Sequence, residues 1–572
     1  MNPLRRGTRL PTFRLLPATT LLFASTLCAA QNAPPTAAEA QSLATLHVTT
    51  RLVEVNVIVN DKHGNPITGL TQKDFALLDN GKVQEVRVFS AEHDSATSAS
   101  SPPLPADVFT NRIEERTHVP ASVTVILLDA LNTEPADQTL AWKQVLKVLD
   151  QIRPEEYVAL YWLGNELRVL HEFTTDIGTL REVLAGLQGK SSRQLDNSKL
   201  ANPALNTTNP STPIGADYER LVFRSTFEQR VANEGTRDRV LTTVSALVAI
   251  ANHLRTRPGR KNLIWVSSSF PIDLSYDRFD PDWSNDTGAR FEGDVARAAQ
   301  ALTSSDIAVY PVDARGLLGT DSSAAGDDLG DHIGDPTETD PRLPTREAPQ
   351  TLDTMHTLAE RTGGKAFYGT NGIAGAIRRA INDARVTYTL GYYPADVKWD
   401  GTFHEIKVKV AAPGAEVRAR KGYFAVPDAL QPPNSVKTLI AQLAGSRLPA
   451  TGIALHVRVQ GSSHSRDAAL TVEVHLDLHE VQMQQKDRRW TGAVQSVFLQ
   501  LDKSGRIVQA DDRTFHPEFS SETYPRALET GISDSRQIRP VPGATELCVV
   551  VRDATSGTLG SIYVPLVSDQ AK

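Results

Sequence analysis

Cysteine is almost missing from this chain: two residues in 572, Cys28 and Cys548. Cys28 falls in a stretch with a basic start (Arg5, Arg6, Arg9, Arg14), an apolar run from Leu15 to Leu27 and the small residues Cys28-Ala29-Ala30. That is the pattern of an export signal over residues 1–30. Cleavage after Ala30 leaves Cys548 alone, so no internal disulfide can staple the fold and packed cores must hold it, even in an oxidising compartment. A lipidated Cys28 is disfavoured, because Leu27 stands where that signal wants a small residue. Beyond residue 30 no apolar run is long enough to cross a bilayer as a helix, so no membrane span is expected. Excess positive charge is missing too. The net charge is −7, and loss of the four signal arginines takes it to about −11, which argues against nucleic acid as a partner.

Catalytic signatures are also lacking. The chain has no His-Glu-x-x-His, no Gly-x-Ser-x-Gly, no phosphate-loop glycine pattern and no paired cysteine ligands. His404-Glu405 and His479-Glu480 have no second histidine at metal spacing, and Ser267-Ser268-Ser269 sits in no nucleophile elbow. An enzyme is therefore not expected; an uncharacterised hydrolase stays as a distant alternative.

What is present is an apolar content of 40% and a charged content of 22%, as in a soluble globular protein, on a chain long enough for about three or four domains. Its clearest element is Ser122-Val-Thr-Val-Ile-Leu-Leu-Asp129, a run apolar on both faces, which reads as a buried parallel strand. Asp129, followed by Asn132 and Thr133, then falls at the carboxyl end, where open α/β sheets collect ligands. Ala136 to Ile152 carries Leu140, Trp142, Val145, Leu146 and Leu149 at helical spacing. Tyr157 to Leu163 and Glu166 to His171 flank Gly164-Asn165, which reads as a hairpin turn. Arg239 to Arg255 is an apolar-faced helix, and Leu263 to Val266 and Ile307 to Val312 are further buried strands. The basic cluster Arg255, Arg257, Arg260 and Lys261 reads as helix-end and turn chemistry rather than an anion site.

Asp129-x-x-Asn132-Thr133 after its strand, Val158-Ala-Leu-Tyr-Trp-Leu-Gly164, Phe173-Thr-Thr-Asp176, Gly259 to Pro271, Ile307 to Arg315 and Leu358 to Gly364 together resemble the von Willebrand factor A domain. With both flanks, the chain resembles the bacterial, largely acidobacterial, secreted proteins related to that family. The resemblance implies a multidomain α/β plus all-β protein, in which a Rossmann-like domain is flanked by β-sandwich segments. The expected divisions are 31–45 flexible linker, 46–90 immunoglobulin-like β segment, 91–119 linker, and 120–385 A-type domain with long loops 189–235 and 314–349. After it come 386–426, a β segment pairing with 46–90 into one sandwich, then 427–435, a Pro-rich linker, and 436–572, a C-terminal β-sandwich.

The metal-binding version of that family carries Asp-x-Ser-x-Ser, a loop threonine and a fourth-strand aspartate, which hold magnesium and leave a position for a partner's carboxylate. Here Asp129 and Thr133 match as metal ligands, Leu131 replaces the first serine, and Ser267, Ser268 and Ser269 stand where the fourth-strand aspartate belongs. Ser191, Ser192 and Thr207 are the hydroxyls offered in place of the threonine. Asn132 and Asp313 add oxygens, although Asp313 lies two strand spacings, about 10 Å, from the first strand. Two readings follow for the group Asp129, Asn132, Thr133, Ser267, Ser268, Ser269 and Asp313. It is a degenerate Mg2+ adhesion site that binds a protein partner, or Asp129 and Thr133 cap the next helix and Asp313 pairs with Arg315. The family resemblance implies an exported adhesion or protein-binding module in periplasm or at the cell surface, and the alternative is a metal-free scaffold of the cell envelope.

Overall fold

The computed structural model describes residues 52–566 apart from 94–103, 106, 113–121, 154–155, 188, 190, 199–215, 258, 271–286, 316–346, 369–372, 384, 395–398, 401, 426–439, 441–442, 444–445 and 462–468. The export signal, the 31–45 spacer, the Pro-rich 427–435 segment, Thr207 and nearly all of the 314–349 loop lie outside the described residues.

The chain opens with β1 (Val53–Asn60), β2 (Phe75–Asp79), β3 (Lys82–Gln84) and β4 (Val88–His93). In β1 Val53, Val55 and Val57 are buried while Glu54 is exposed, the alternation of a strand with one face on a core. β5 (Val108–Thr110) follows, inside the segment expected to be linker. The composition of 92–105 hides this strand, which is only three residues long and is fixed by the next residue. Asn111 is buried, donates through Nδ2 to the carbonyls of Ala450 and Ile453 at 2.7 and 2.8 Å, and accepts from the Leu455 amide at 2.8 Å.

The central domain is β6 (Val123–Asp129), α1 (Pro135–Leu149), β7 (Val158–Leu163), β8 (Leu167–Thr174), α2 (Ile177–Ala185), α3 (Arg193–Ser198), α4 (Ala216–His253), β9 (Lys261–Ser267), α5 (Thr287–Ser304), β10 (Ile307–Asp313), α6 (Glu347–Thr362) and α7 (Ile373–Asn382). Its five strands run in the order β10-β9-β6-β7-β8, parallel except for β8. Alternate residues of β6 face opposite ways. Val123, Val125 and Leu127 pack with α4, α5 and α6, whereas Ile126 and Leu128 pack with α1, α2 and α7. Every residue of β6, β9 and β10 is buried, as a sheet covered on both faces requires. The result is a Rossmann-like α/β layer structure. The expected 189–235 loop is corrected by α3 and by α4, which begins at Ala216 and runs for 38 residues. From Ala216 to Asp238 the sequence carries several Arg and Glu, which favour helix, and has no proline, so it propagates the helix despite Gly235.

After α7 come β11 (Val386–Tyr392), β12 (Phe403–Val410), β13 (Glu416–Ala419) and β14 (Gly422–Phe424). They interleave with the first four strands in two sheets, β13-β1-β11-β4 and β14-β12-β2-β3. Val55, Val57, Leu77, Tyr388, Leu390 and Ile406 share the core between them. Neither half of this sandwich has an inner face without the other.

The C-terminal region adds β15 (Leu455–Gln460), β16 (Leu470–Leu476), β17 (Gln484–Lys486), β18 (Arg489–Thr491), β19 (Val494–Leu501), β20 (Ile507–Phe515), β21 (Glu518–Ser520), α8 (Tyr524–Thr530), β22 (Ile532–Ile538), β23 (Glu546–Asp553) and β24 (Leu559–Pro565). Sheets β22-β16-β15-β5 and β20-β19-β23-β24 face each other across Val457, Val472, Phe498 and Val549. β5 thus belongs to this sandwich. Cys548 is buried here, and burial pushes its thiol pKa up to about 12, so the free cysteine is a core residue.

Both sandwiches attach to the amino end of the central sheet. Asp306, just before β10, accepts from Asn56 Nδ2 at 3.1 Å, and Asp383, just after α7, pairs with Arg418. The last turn of α4 is held by Thr451, whose amide donates to the Asn252 carbonyl at 3.0 Å, and by Pro449, whose carbonyl lies 2.7 Å from His253 Nδ1.

Candidate functional site

The opposite, carboxyl end of the sheet holds most of the residues singled out from the sequence. Asp129 shares the face of Val125 and Leu127, so its side chain turns towards α4, and Ser267 shares the face of Leu263 and Trp265. Asp129 is fully buried. Its Oδ2 accepts from Asn132 Nδ2 at 2.9 Å, Trp265 Nε1 at 2.9 Å and Ser267 Oγ at 2.8 Å, and its Oδ1 accepts from the Asn132 amide at 3.0 Å. Four donors fill the sites a carboxylate offers. Burial pushes the Asp129 pKa above the carboxylate value of 3.8, and the hydrogen bonds from Asn132, Ser267 and Trp265 pull against that shift.

Asn132 links this carboxylate to a cation. Its Oδ1 accepts from Arg239 Nε at 3.0 Å, and its Nδ2 also donates to Thr243 Oγ1 at 2.9 Å. Arg239 and Thr243 sit one turn apart on α4, and the Thr243 hydroxyl donates to the Arg239 carbonyl at 2.8 Å. Burial lowers the Arg239 pKa to about 10, opposed by the attraction of Asp129 and Glu134. A guanidinium is therefore built into the site.

The remaining residues divide. Thr133 is buried and its Oγ1 accepts from the Ser268 amide at 3.1 Å, while its carbonyl accepts from Gln138 Nε2 at 2.7 Å. Ser268 Oγ donates to Asp137 Oδ2 at 3.2 Å, and Ser269 enters only through its carbonyl, 3.0 Å from Ser267 Oγ. Ser192 Oγ reaches the Leu131 carbonyl at 3.2 Å. Asp313 is held by the Arg315 side chain at 2.9 and 3.0 Å, apart from the Asp129 network. The capping reading is corrected for Asp129 and Thr133: the N-cap of α1 is Glu134, without a side-chain cap bond, and Pro135 opens the helix.

These residues do not fit magnesium. Mg2+ takes about six oxygens in near-ideal octahedral geometry, whereas both oxygens of Asp129 already accept hydrogen bonds and one donor is an indole N–H, which has no lone pair to offer. A cation there would also stand beside the Arg239 charge. Among the described residues, no group of three or more His, Cys, Asp and Glu side chains is gathered to hold a metal ion. Asp129 and Thr133 are thus placed as members of a hydrogen-bonded network.

Sequence reasoning missed Arg239, Trp265, Thr243 and Asp137. Arg239 left one trace: it lies one turn before Thr243 on the stripe of α4 that buries Leu247 and Ile250, an unusual place for an arginine.

No protein-family model matches the chain, and no curated protein matches it. Among solved structures it is similar to an aerotolerance-related membrane protein from Bacteroides fragilis, with 16% identity over 46% of this chain and 97% of that chain at a TM-score of 0.23. The conserved hypothetical protein BatB from Bacteroides thetaiotaomicron matches with 12% identity over 46% of this chain and 96% of that chain, at 0.23. A von Willebrand factor type A protein from Catenulispora acidiphila matches with 11% identity over 87% of this chain and 74% of that chain, at 0.25. Scores this low carry no argument, and the fold, a Rossmann-like α/β domain with β-rich flanks, rests on the strand order and helix placement described above.

Proposed function

We propose that the chain is an exported, non-enzymatic protein-interaction module of the von Willebrand factor A kind, which engages its partner through the carboxyl edge of the central sheet without a divalent cation. One observation supports this most directly: the two sandwiches attach to the amino end of the sheet, through Asp306, Asp383 and the last turn of α4. The ligand-collecting end of an open α/β sheet therefore faces away from those attachments. At that end the Asp129–Asn132–Arg239 network fixes the loops after β6 and β9 in one geometry, a rigid platform rather than a site waiting for an ion.

Photo-crosslinking in native cells tests the reading. A crosslinking residue at Ser269 or Ala136, on the carboxyl edge, should capture a partner equally with and without chelator, and one at Gln151, on the amino side, should not. Capture lost on adding chelator, or capture at Gln151 alone, would overturn it. The metal-free scaffold reading draws on the same attachment of both sandwiches; it is favoured if the captured species is a second copy of this chain in a constant oligomer by ultracentrifugation.

A further inference from the structure

A cavity of about 570 Å³ opens between the first sandwich, the end of α5 and the turn that follows α4, far along the sheet from Asp129. That volume suits a drug-sized molecule. One wall is aromatic, with Trp399 and Phe403 beside Tyr423, whose ring lies 6.2 Å from that of Trp399. The charged lining is three guanidiniums, Arg255, Arg361 and Arg420, against two carboxylates, Glu54 and Asp306. Asp306 is already engaged by Asn56. Burial and the neighbouring Asp306 both push Glu54 above its ordinary carboxylate range, which weakens the negative side further.

Arg420 and Arg255 differ in how they line the cavity. Arg420 is half-buried, donates to the Glu54 carbonyl, lies 6.0 Å over the Tyr423 ring and keeps its Nε buried without a hydrogen-bond partner. Burial lowers its pKa in spite of Asp306 and Glu54. Arg255 is exposed to solvent, yet crowding by protein atoms lowers its pKa against the pull of Glu480. Arg255 is one of the residues that line the cavity. Guanidiniums lining a concave space pair well with an anion and present a fork that fits a carboxylate or a phosphate.

We propose that this cavity binds a small organic anion whose apolar or aromatic body lies on Trp399 and Phe403 and whose carboxylate or phosphate head is taken by Arg255 and Arg420. The helix-end reading of the basic cluster then holds for its other members. Arg260 Nη2 donates to the Gly363 carbonyl at 2.8 Å, and Lys261 Nζ donates to the Arg257 carbonyl at 2.5 Å. Arg255 is the member that faces the cavity.

Calorimetric titration of the full chain with 3-phenylpropionate and with phenyl phosphate tests this, with neutral 3-phenylpropanamide as control. Saturable heat is expected from at least one anion and none from the amide. Arg255→Gln should weaken binding by about tenfold or more without moving the melting temperature, because its side chain is exposed. Gln300→Trp, which fills the cavity from α5, should abolish it; should that variant not fold, Arg255→Gln alone decides. No saturable heat from either anion, equal binding of the amide, or unchanged affinity in Arg255→Gln would overturn the proposal.

Discussion

Two of the buried aspartates that end strands, Asp129 and Asp79, solve the same problem differently. Asp129 ends β6 and is surrounded by an amide, an indole, a hydroxyl and, through Asn132, the guanidinium of Arg239. Asp79 ends β2 and accepts from Tyr392 OH at 2.7 Å, Tyr423 OH at 3.1 Å and His404 Nδ1 at 2.9 Å. Both satisfy the rule that a buried carboxylate must be hydrogen-bonded. The first uses donors deep between sheet and helix, beside a permanent cation. The second uses phenols and an imidazole, and one of those phenols, Tyr423, lines the solvent-accessible cavity. The lesson is that the counter-charge decides what a buried carboxylate can do: with an arginine built in, Asp129 has no use for a metal.

The comparison can be broken most forcefully at Asp129. Asp129→Ala leaves Asn132, Trp265 and Ser267 without their acceptor and the Arg239 charge without its counter-charge, and should cost about 3–5 kcal/mol of stability in urea unfolding. Asp79→Ala should cost less, about 1–3 kcal/mol, because water from the cavity can reach the freed phenol. Equal losses would remove the distinction between the two sites.

Next in size is Arg239→Met, expected to lose about 2–4 kcal/mol alone. Combined with Asp129→Asn the loss should be less than the sum, with a coupling of about 1–3 kcal/mol. Strict additivity would show that the cation does not serve the carboxylate. Tyr392→Phe, which removes one donor from Asp79, should cost only about 1 kcal/mol.

A pH series sharpens the contrast. Because burial raises the Asp129 pKa above 3.8, the folded chain holds a proton there that the unfolded chain releases. The contribution of this group is therefore greatest below 3.8 and falls as pH rises through the window up to the raised value. The stability of the wild type relative to Asp129→Asn should decline across that window, by about 1.4 kcal/mol for each tenfold fall in proton concentration, and stay flat above it. A rise instead would mean that the network lowers the pKa.

The smallest expected effect is none. A divalent ion at one hundred times its Kd would add about 2.7 kcal/mol of stability, so a melting temperature unmoved by Mg2+, Mn2+ or chelator is the expected result, and a saturable rise lost in Asp129→Ala would restore the adhesion-site reading.

The parts of this fold that could be read from sequence are those whose patterns are set by burial. β6, β9 and β10 are apolar on both faces and announce a covered sheet. β20 is exposed along nearly its whole length, and Ile507-Val-Gln-Ala-Asp-Asp-Arg-Thr-Phe515 offers no alternation to detect. The same holds for the site. Asp129, Asn132, Thr133, Ser267 and Ser268 follow strand ends that the pattern locates, and the structure gathers them. Arg239 comes from a helix more than a hundred positions later in the chain, and only the packing of α4 on the sheet reveals what it faces.

In the first sandwich, His93 at the end of β4 pairs directly with Val386 at the start of β11. These two strands are the arms of a hairpin whose turn has been replaced by a segment of roughly 290 residues. A ribosome releases β1 long before the strands that will flank it, and until then its edges are open to pairing with any other chain. A chain cut short before Phe424 therefore presents an unfinished sheet, with unpaired strand edges where β11 to β14 would have added.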